Sequence, residues 1–448
     1  MAATQRANVY DLIQKRLGVI FSEFDNIYVS FSGGKDSGVL LNLCIEYIRK
    51  HGLKTRIGVF HMDYEIQYKM TMEYVERTFK ENRDILDVYR VCVPFRVTTC
   101  TSMYESYWRP WDESKREAWV RPLPENAMTL QDFPFYNTRM WDYDFQTEFA
   151  RWLHEREQAK RTCCLVGIRT QESYNRWRTI YRGTQEPYKD YKWSTRIDED
   201  IYNLYPLFDW KTTDIWVANG KFHWDYNHLY DLYYQAGVSL DRQRVASPFI
   251  SEAIDSLALY KVIDPDTWGR MIGRVNGVNF SGIYGSTQAM GRQHIRLPEG
   301  HTWKSFMEFL LSTLPERTRK RYLAKLHTSI KFWKERGGCL SEGVIQKLRD
   351  RNIPIEVGEE TNYKTEKKPV RMDYLDDIDI AEFKEIPTYK RMCVCILRND
   401  HTCKYMGFSL TKEETEMKNN ALKKYSHITD ARELSSRNKK KDEPVESL

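Results

Sequence analysis

No stretch of this 448-residue chain is apolar for long enough to cross a membrane as a helix. The opening residues, MAATQRANVYDLIQKRLG, also lack the apolar core of a secretion signal. They read instead as an amphipathic helix, with Val9, Leu12, Ile13 and Leu17 on one face. Paired cysteines at redox or cluster spacing are missing: nine cysteines occur, irregularly placed, and no Cys-x-x-Cys exists. With no secretion signal, that pattern argues against a disulfide framework and predicts a reducing, cytoplasmic setting. Charge of one sign is scarcely in excess, at a formal +6, which permits nucleotide or nucleic-acid binding without demanding it. A Walker A loop is absent as well. Val29 and Asp36 stand where that pattern needs its first glycine and its final Ser or Thr.

What is present centres on Asn26 to Lys50, NIYVSFSGGKDSGVLLNLCIEYIRK. Ile27, Tyr28, Val29 and Phe31 form a short β-type run. Ser32, Gly33, Gly34, Lys35, Asp36 and Ser37 follow as a small polar loop. A helix comes next, with Val39, Leu40, Leu43, Cys44, Tyr47 and Ile48 at helical spacing, stopping near His51-Gly52. Strand, glycine loop and helix N-terminus are a layout for holding phosphate or sulfate, because the first-turn amides point at the anion and the dipole favours it. Lys35 adds a mobile charge, and Ser32 and Ser37 add hydroxyl donors.

Further along, 55–60 predicts a second parallel strand, and Asp63 just past its C-terminal edge reads either as a site residue or as a strand-end cap. Glu65 and Gln67 read as ligand contacts or as caps of a helix over 71–90, with a third strand at Val91–Phe95. From Tyr104 to Phe145 aromatics interleave with Arg109, Arg116, Arg121 and Arg139. Such a mix either stacks bases and binds phosphates or forms a lid packed on itself. Cys163 to Val166 reads as a buried strand, and Arg169, Glu172, Ser173, Arg176 and Arg178 follow it. Arginine forks of this kind suit phosphate and sulfate oxygens.

The Ser32–Ser37 loop resembles the SGGxDS loop of the ATP-pyrophosphatase (PP-loop) superfamily. The Gly-Ile-Arg…Glu-Ser…Arg run from Gly167 and the Tyr-Pro-Leu-Phe-Asp-Trp run from Tyr205 resemble motifs of PAPS reductases and their ATP sulfurylase relatives, so the likeness spans about 20–240. It implies an α/β fold: a parallel twisted sheet with flanking helices, of the adenine nucleotide alpha hydrolase type. ATP or a sulfonucleotide, with Mg²⁺, would bind Ser32, Gly33, Gly34, Lys35, Asp36, Ser37, Asp63, Arg169, Glu172 and Arg176. Lys35, Asp36 and Arg169 would act on the reacting phosphate, and Asp36 and Asp63 would hold the metal. The chain departs from the reductases in having no Glu-Cys-Gly-Leu-His segment. Its Cys163-Cys164 pair lies in a strand, where successive side chains face opposite ways. The implied chemistry is therefore adenylation with pyrophosphate release, not thiol-based reduction.

Beyond the nucleotide-binding domain (1–240), the sequence predicts a mostly helical domain (241–355), a small module (356–432) and a disordered tail (433–448). Arg270 and Arg274 lie four apart and read as a phosphate grip or a solvated face. A basic helix from Pro315 to Gly337 reads as a solvated face or as a contact for nucleic acid. Cys393, Cys395, His401 and Cys403 read as core thiols or as a zinc set, with Cys393-x-Cys395 placed in a β-type run. The C-terminal pattern resembles an IbrA-like bacterial branch of the superfamily, which implies a ParB/sulfiredoxin-like protein partner. A regulatory or phage-defence subunit that senses the nucleotide is the alternative function.

Overall fold

The structure is a computed structural model, and it describes residues 8–181, 186–240, 242–245, 247–251, 253–287, 290, 295–359 and 366–408. The predicted tail lies outside these residues, as does the side chain of Arg178. Two compact units divide the chain, Met1–Arg292 and Gln293–Leu448.

The first unit opens with α1 (Val9–Glu23), capped by Asn8, whose side chain accepts from the Asp11 amide at 2.9 Å. Then come β1 (Asn26–Ser30), α2 (Lys35–His51), β2 (Ile57–Met62), α3 (Lys69–Glu81) and β3 (Leu86–Val91). β4 (Val97–Thr98) comes next, and the insertion contributes the short β5 (Tyr107–Trp108) and β6 (Ala127–Met128) before α4 (Asp142–Arg156). β7 (Thr162–Val166), α5 (Tyr174–Tyr181), β8 (Ser194–Asp198), β9 (Ile201–Leu204), α6 (Thr212–Phe222) and α7 (Leu229–Gln235) follow.

Seven strands form one sheet in the order β6-β3-β2-β1-β7-β9-β8, parallel throughout except for the β8–β9 pair. Side chains alternate between two cores. Ile27, Val29, Cys163 and Leu165 join the core under α1, α2, α3 and α6, while Tyr28, Phe60 and Cys164 join the core under α4 and α7. The two adjacent cysteines thus face opposite sides of the sheet.

The third strand is Leu86–Val91, not Val91–Phe95, and the preceding helix ends at Glu81 rather than running to 90. Asn82 stops it, its side chain donating to the Thr78 carbonyl at 3.0 Å. The first unit also runs past residue 240. α8 (Tyr260–Ile263), α9 (Pro265–Arg274) and α10 (Val278–Tyr284) belong to it, and Phe249, Leu257, Met271 and Val278 share the core of the α4 face.

The second unit holds α11 (Trp303–Ser312), the basic helix α12 (Glu316–Glu335), β10 (Gly338–Leu340), α13 (Glu342–Asp350), β11 (Ile355–Val357), β12 (Lys368–Met372) and α14 (Tyr389–Leu397). Its three strands pair antiparallel with β12 in the middle. Cys393 and Cys395 lie on α14, not on a strand, and with Cys403 they are buried in one core with Trp303, Tyr322 and Leu326. Among the described residues no group of three or more His, Cys, Asp and Glu side chains could hold a metal ion.

Candidate functional site

β1 is paired on one side with β2 and on the other with β7, so chain connections leave it in opposite directions. In parallel sheets, ligands sit outside the strand ends at such a reversal. The register sets Ser30 against Val166, which brings the loop after β1 beside the loop after β7. A methyl on Gly167 would stand 3.0 Å from the Asp36 carbonyl carbon, so the two loops touch through a glycine.

Gly33 turns the chain at φ +74°, and Gly34 begins α2 with no side-chain cap of its own. The loop hydroxyls hold one another: Ser32 Oγ and Ser37 Oγ are 3.1 Å apart, and Ser37 Oγ donates to the Gly34 carbonyl at 3.1 Å. Lys35 is only 6% exposed. Its Nζ lies 3.1 Å from Asp36 Oδ2 and donates to the Gln243 carbonyl at 3.1 Å. Arg169, 2% exposed, reaches the other oxygen of Asp36 through Nε at 2.5 Å and donates to Thr212 Oγ1 at 3.2 Å. Thr212 sits in the first turn of α6. The structure therefore gathers Ser32, Gly33, Gly34, Lys35, Asp36, Ser37 and Arg169 in one place. Glu172 stands at its margin, 3.4 Å from the Arg244 guanidinium and 3.9 Å from half-exposed Arg176.

Asp63 and Glu65 form a second centre, fully buried at the end of β2. Arg90 holds one Asp63 oxygen at 3.1 Å and Arg121 holds the other. Burial alone would push the Asp63 carboxyl up, but Arg121 and Arg90 outweigh it and keep the group below the ordinary carboxylate range. Arg274 grips Glu65 with two bonds of 2.8 Å, and the amides of Trp111 and Val120 donate to the same carboxylate at 2.7 and 3.2 Å. Arg274 is thus neither a solvated residue nor a phosphate grip, while Arg270 donates to the Val120 carbonyl at 3.0 Å. These bonds also tie Trp111, Val120 and Arg121 of the aromatic insertion to the end of β2.

His61 lies between the two centres in sequence and is fully buried, with Nδ1 2.8 Å from the Phe31 carbonyl. Burial pulls its pKa down to about 4. An unfolded histidine takes up its proton near pH 6.5, so between about pH 6.5 and 4 the unfolded chain binds more protons, and stability falls as pH falls through that window. The expected loss is about 3 kcal/mol from this group. Urea unfolding across that range should show it, and His61→Gln should flatten the slope there. An unchanged slope would show that His61 is not its source.

The pattern of the Phosphoadenosine phosphosulfate reductase domain matches residues 26–236, and that of a Domain of unknown function (DUF3440) matches 237–417. The chain thus has a PAPS reductase-like α/β nucleotide-binding fold. It belongs to the same family as "Uncharacterized protein YbdN" of Escherichia coli (strain K12), with which it is 32% identical over 92% of this chain and 93% of that protein. Among solved structures, the PAPS reductase from Candida auris in its phosphate complex aligns at 14% identity and a TM-score of 0.27, covering 49% of this chain and 84% of that one. The Candida glabrata FMN adenylyltransferase in complex with ATP aligns at 16% identity and a TM-score of 0.30, covering 51% and 62%.

Proposed function

We propose that the chain binds ATP, or a sulfonucleotide, with its phosphates on the Ser32–Ser37 loop, and transfers the adenylyl group of ATP to an acceptor. The acceptor oxygen or nitrogen attacks the α-phosphorus, the bond to the bridging oxygen of the β-phosphate breaks, and pyrophosphate leaves. One observation carries this reading: two buried cations, Lys35 and Arg169, converge on a single carboxylate, Asp36, at the first turn of α2. One positive charge is left over where the helix dipole already favours an anion. Both cations would then stabilise charge that develops on the phosphate oxygens as pyrophosphate departs. In this reading Glu172 and Arg176, an ion pair at the margin of the cluster, would orient the ligand.

The residues suit Mg²⁺ only in part. Mg²⁺ commonly takes one or two carboxylates and draws its other ligands from phosphates and water, and Asp36 could supply one. Asp63 is spent on Arg90 and Arg121, so a metal there would have to displace two arginines. Bound to phosphate oxygens, the ion would neutralise charge on the leaving pyrophosphate.

Thiol-based reduction fits poorly. Every cysteine but Cys339 is buried, and burial pushes the Cys164 and Cys393 thiols up to about 12. A nucleotide-sensing regulatory subunit, acting through a ParB/sulfiredoxin-like partner or nucleic acid, is the second reading. The insertion's exposed aromatics, Tyr104 and Tyr143, favour it. Incubation with labelled ATP, Mg²⁺ and hydroxylamine as a surrogate acceptor nucleophile, alone and with the partner, tests both. Pyrophosphate release is expected, whereas tight ATP binding with no release in either case would replace turnover by sensing.

A further inference from the structure

α7 contributes to the phosphate loop from nearly two hundred residues away. Asn227, fully buried, donates through Nδ2 to the Gly33 carbonyl at 3.0 Å and to Thr71 Oγ1 at 2.9 Å, while its Oδ1 accepts from the Leu229 amide at 3.1 Å. This fixes the start of α7 against the loop. One turn on, the hydroxyl of Tyr230 accepts the Lys35 amide at 3.1 Å, and its ring lies 5.3 Å from the Lys35 ammonium. Tyr230 is 3% exposed.

The geometry points to Tyr230 as an anion-binding residue of the loop, donating its phenolic proton to a phosphate oxygen held there; this rests on the nucleotide reading above. The Lys35 amide uses a lone pair of the phenol oxygen, so the phenol's own hydrogen must point elsewhere. A methyl added to Gly34 would stand 3.3 Å from that oxygen and 3.1 Å from Ser32 Oγ, so the Tyr230 and Ser32 hydroxyls flank the same loop glycine. Tyr230 therefore relays the first amide of α2. The amide polarises the hydroxyl, and the hydroxyl presents the donor outward, in the chain N–H to O–H to phosphate oxygen. The ring also steadies the Lys35 ammonium by cation–π attraction. Asn227 is a positioning residue, acting through the loop carbonyl and α7.

A hydroxyl that only capped the amide would matter for stability and not for affinity, which makes the two roles separable. Titration of the full chain with inorganic pyrophosphate, by calorimetry, is the measurement. Tyr230→Phe should bind pyrophosphate about tenfold more weakly, the effect of one hydrogen bond to a charged group. Unchanged affinity with a lowered melting temperature would overturn the proposal. Should Tyr230→Phe not fold, 3-fluorotyrosine at position 230 keeps the hydroxyl. Its fluorine resonance should shift with pyrophosphate and saturate at the Kd found by calorimetry, and a resonance unmoved at saturation would equally overturn the proposal. Wild-type protein that binds neither pyrophosphate nor ATP would remove the nucleotide reading itself. Wild-type binding with an unaffected Phe variant removes only the role of Tyr230.

Discussion

Glu65→Ala should lower the stability of the chain by about 4 kcal/mol, the cost of stripping one partner from a buried ion pair. The size follows from what Glu65 serves. Its two oxygens take both Arg274 bonds at 2.8 Å, the Trp111 amide at 2.7 Å and the Val120 amide at 3.2 Å, all without access to water. Removing the carboxylate leaves a guanidinium that is 4% exposed without its counter-charge, though still bonded to the Arg109 carbonyl, and strands two backbone donors, each costing about 1–3 kcal/mol. Net stabilities of folded domains are only about 5–15 kcal/mol, so the loss should be plain in a urea titration as a lower midpoint. Removing both charges should hurt less than removing one. Glu65→Ala with Arg274→Met leaves no unpaired ion, and apolar replacement of a buried pair is often near neutral. A single-variant loss under about 1 kcal/mol, or a double variant as damaged as the sum of the two singles, would refute this account.

The site loop was legible because three local signals coincide in one stretch: a branched and aromatic run, two glycines, and apolar residues at helical spacing. The stop of α2 was legible for the same reason, with Arg49, Lys50 and His51 in its last turn before Gly52 at φ +59°. The second centre was not legible. Glu65 and Arg274 are 209 residues apart, and nothing local to Arg274 distinguishes it from a solvated arginine. The available hint was two acids, Asp63 and Glu65, directly after an apolar strand that forms an interior part of a parallel sheet. Tyr230 and Gln243 meet Lys35 across 195 and 208 residues, so they too had no local signature. The Cys393–Cys395 segment misled through propensity. Its Cys, Val and Ile suit a strand, but Thr388 caps a helix there and packing against Trp303, Tyr322 and Leu326 outweighs preferences worth a few tenths of a kcal/mol per residue.

Lys35→Ala should weaken ATP and pyrophosphate binding about a hundredfold and abolish turnover, as expected when one charged contact to phosphate is lost in a buried site. The remaining cluster explains why the effect should exceed that of a surface lysine. With Lys35 gone, Asp36 faces Arg169 alone, and the pair is neutral. The extra positive charge that would draw an anion to α2 disappears, and helix amides must act unaided. Asp36→Asn separates binding from turnover. It removes the carboxylate that holds both cations, raising the local charge from one to two, so pyrophosphate alone should bind at least as tightly as to wild type. Turnover of ATP should nonetheless fall, because Lys35 and Arg169 lose the carboxylate that orients them. Calorimetry with pyrophosphate and a pyrophosphate-release assay on the same preparations read the two effects apart. Wild-type binding in Lys35→Ala would mean that the anion is held elsewhere. Weaker pyrophosphate binding in Asp36→Asn would mean that Asp36 shapes the cradle more than its charge opposes the ligand.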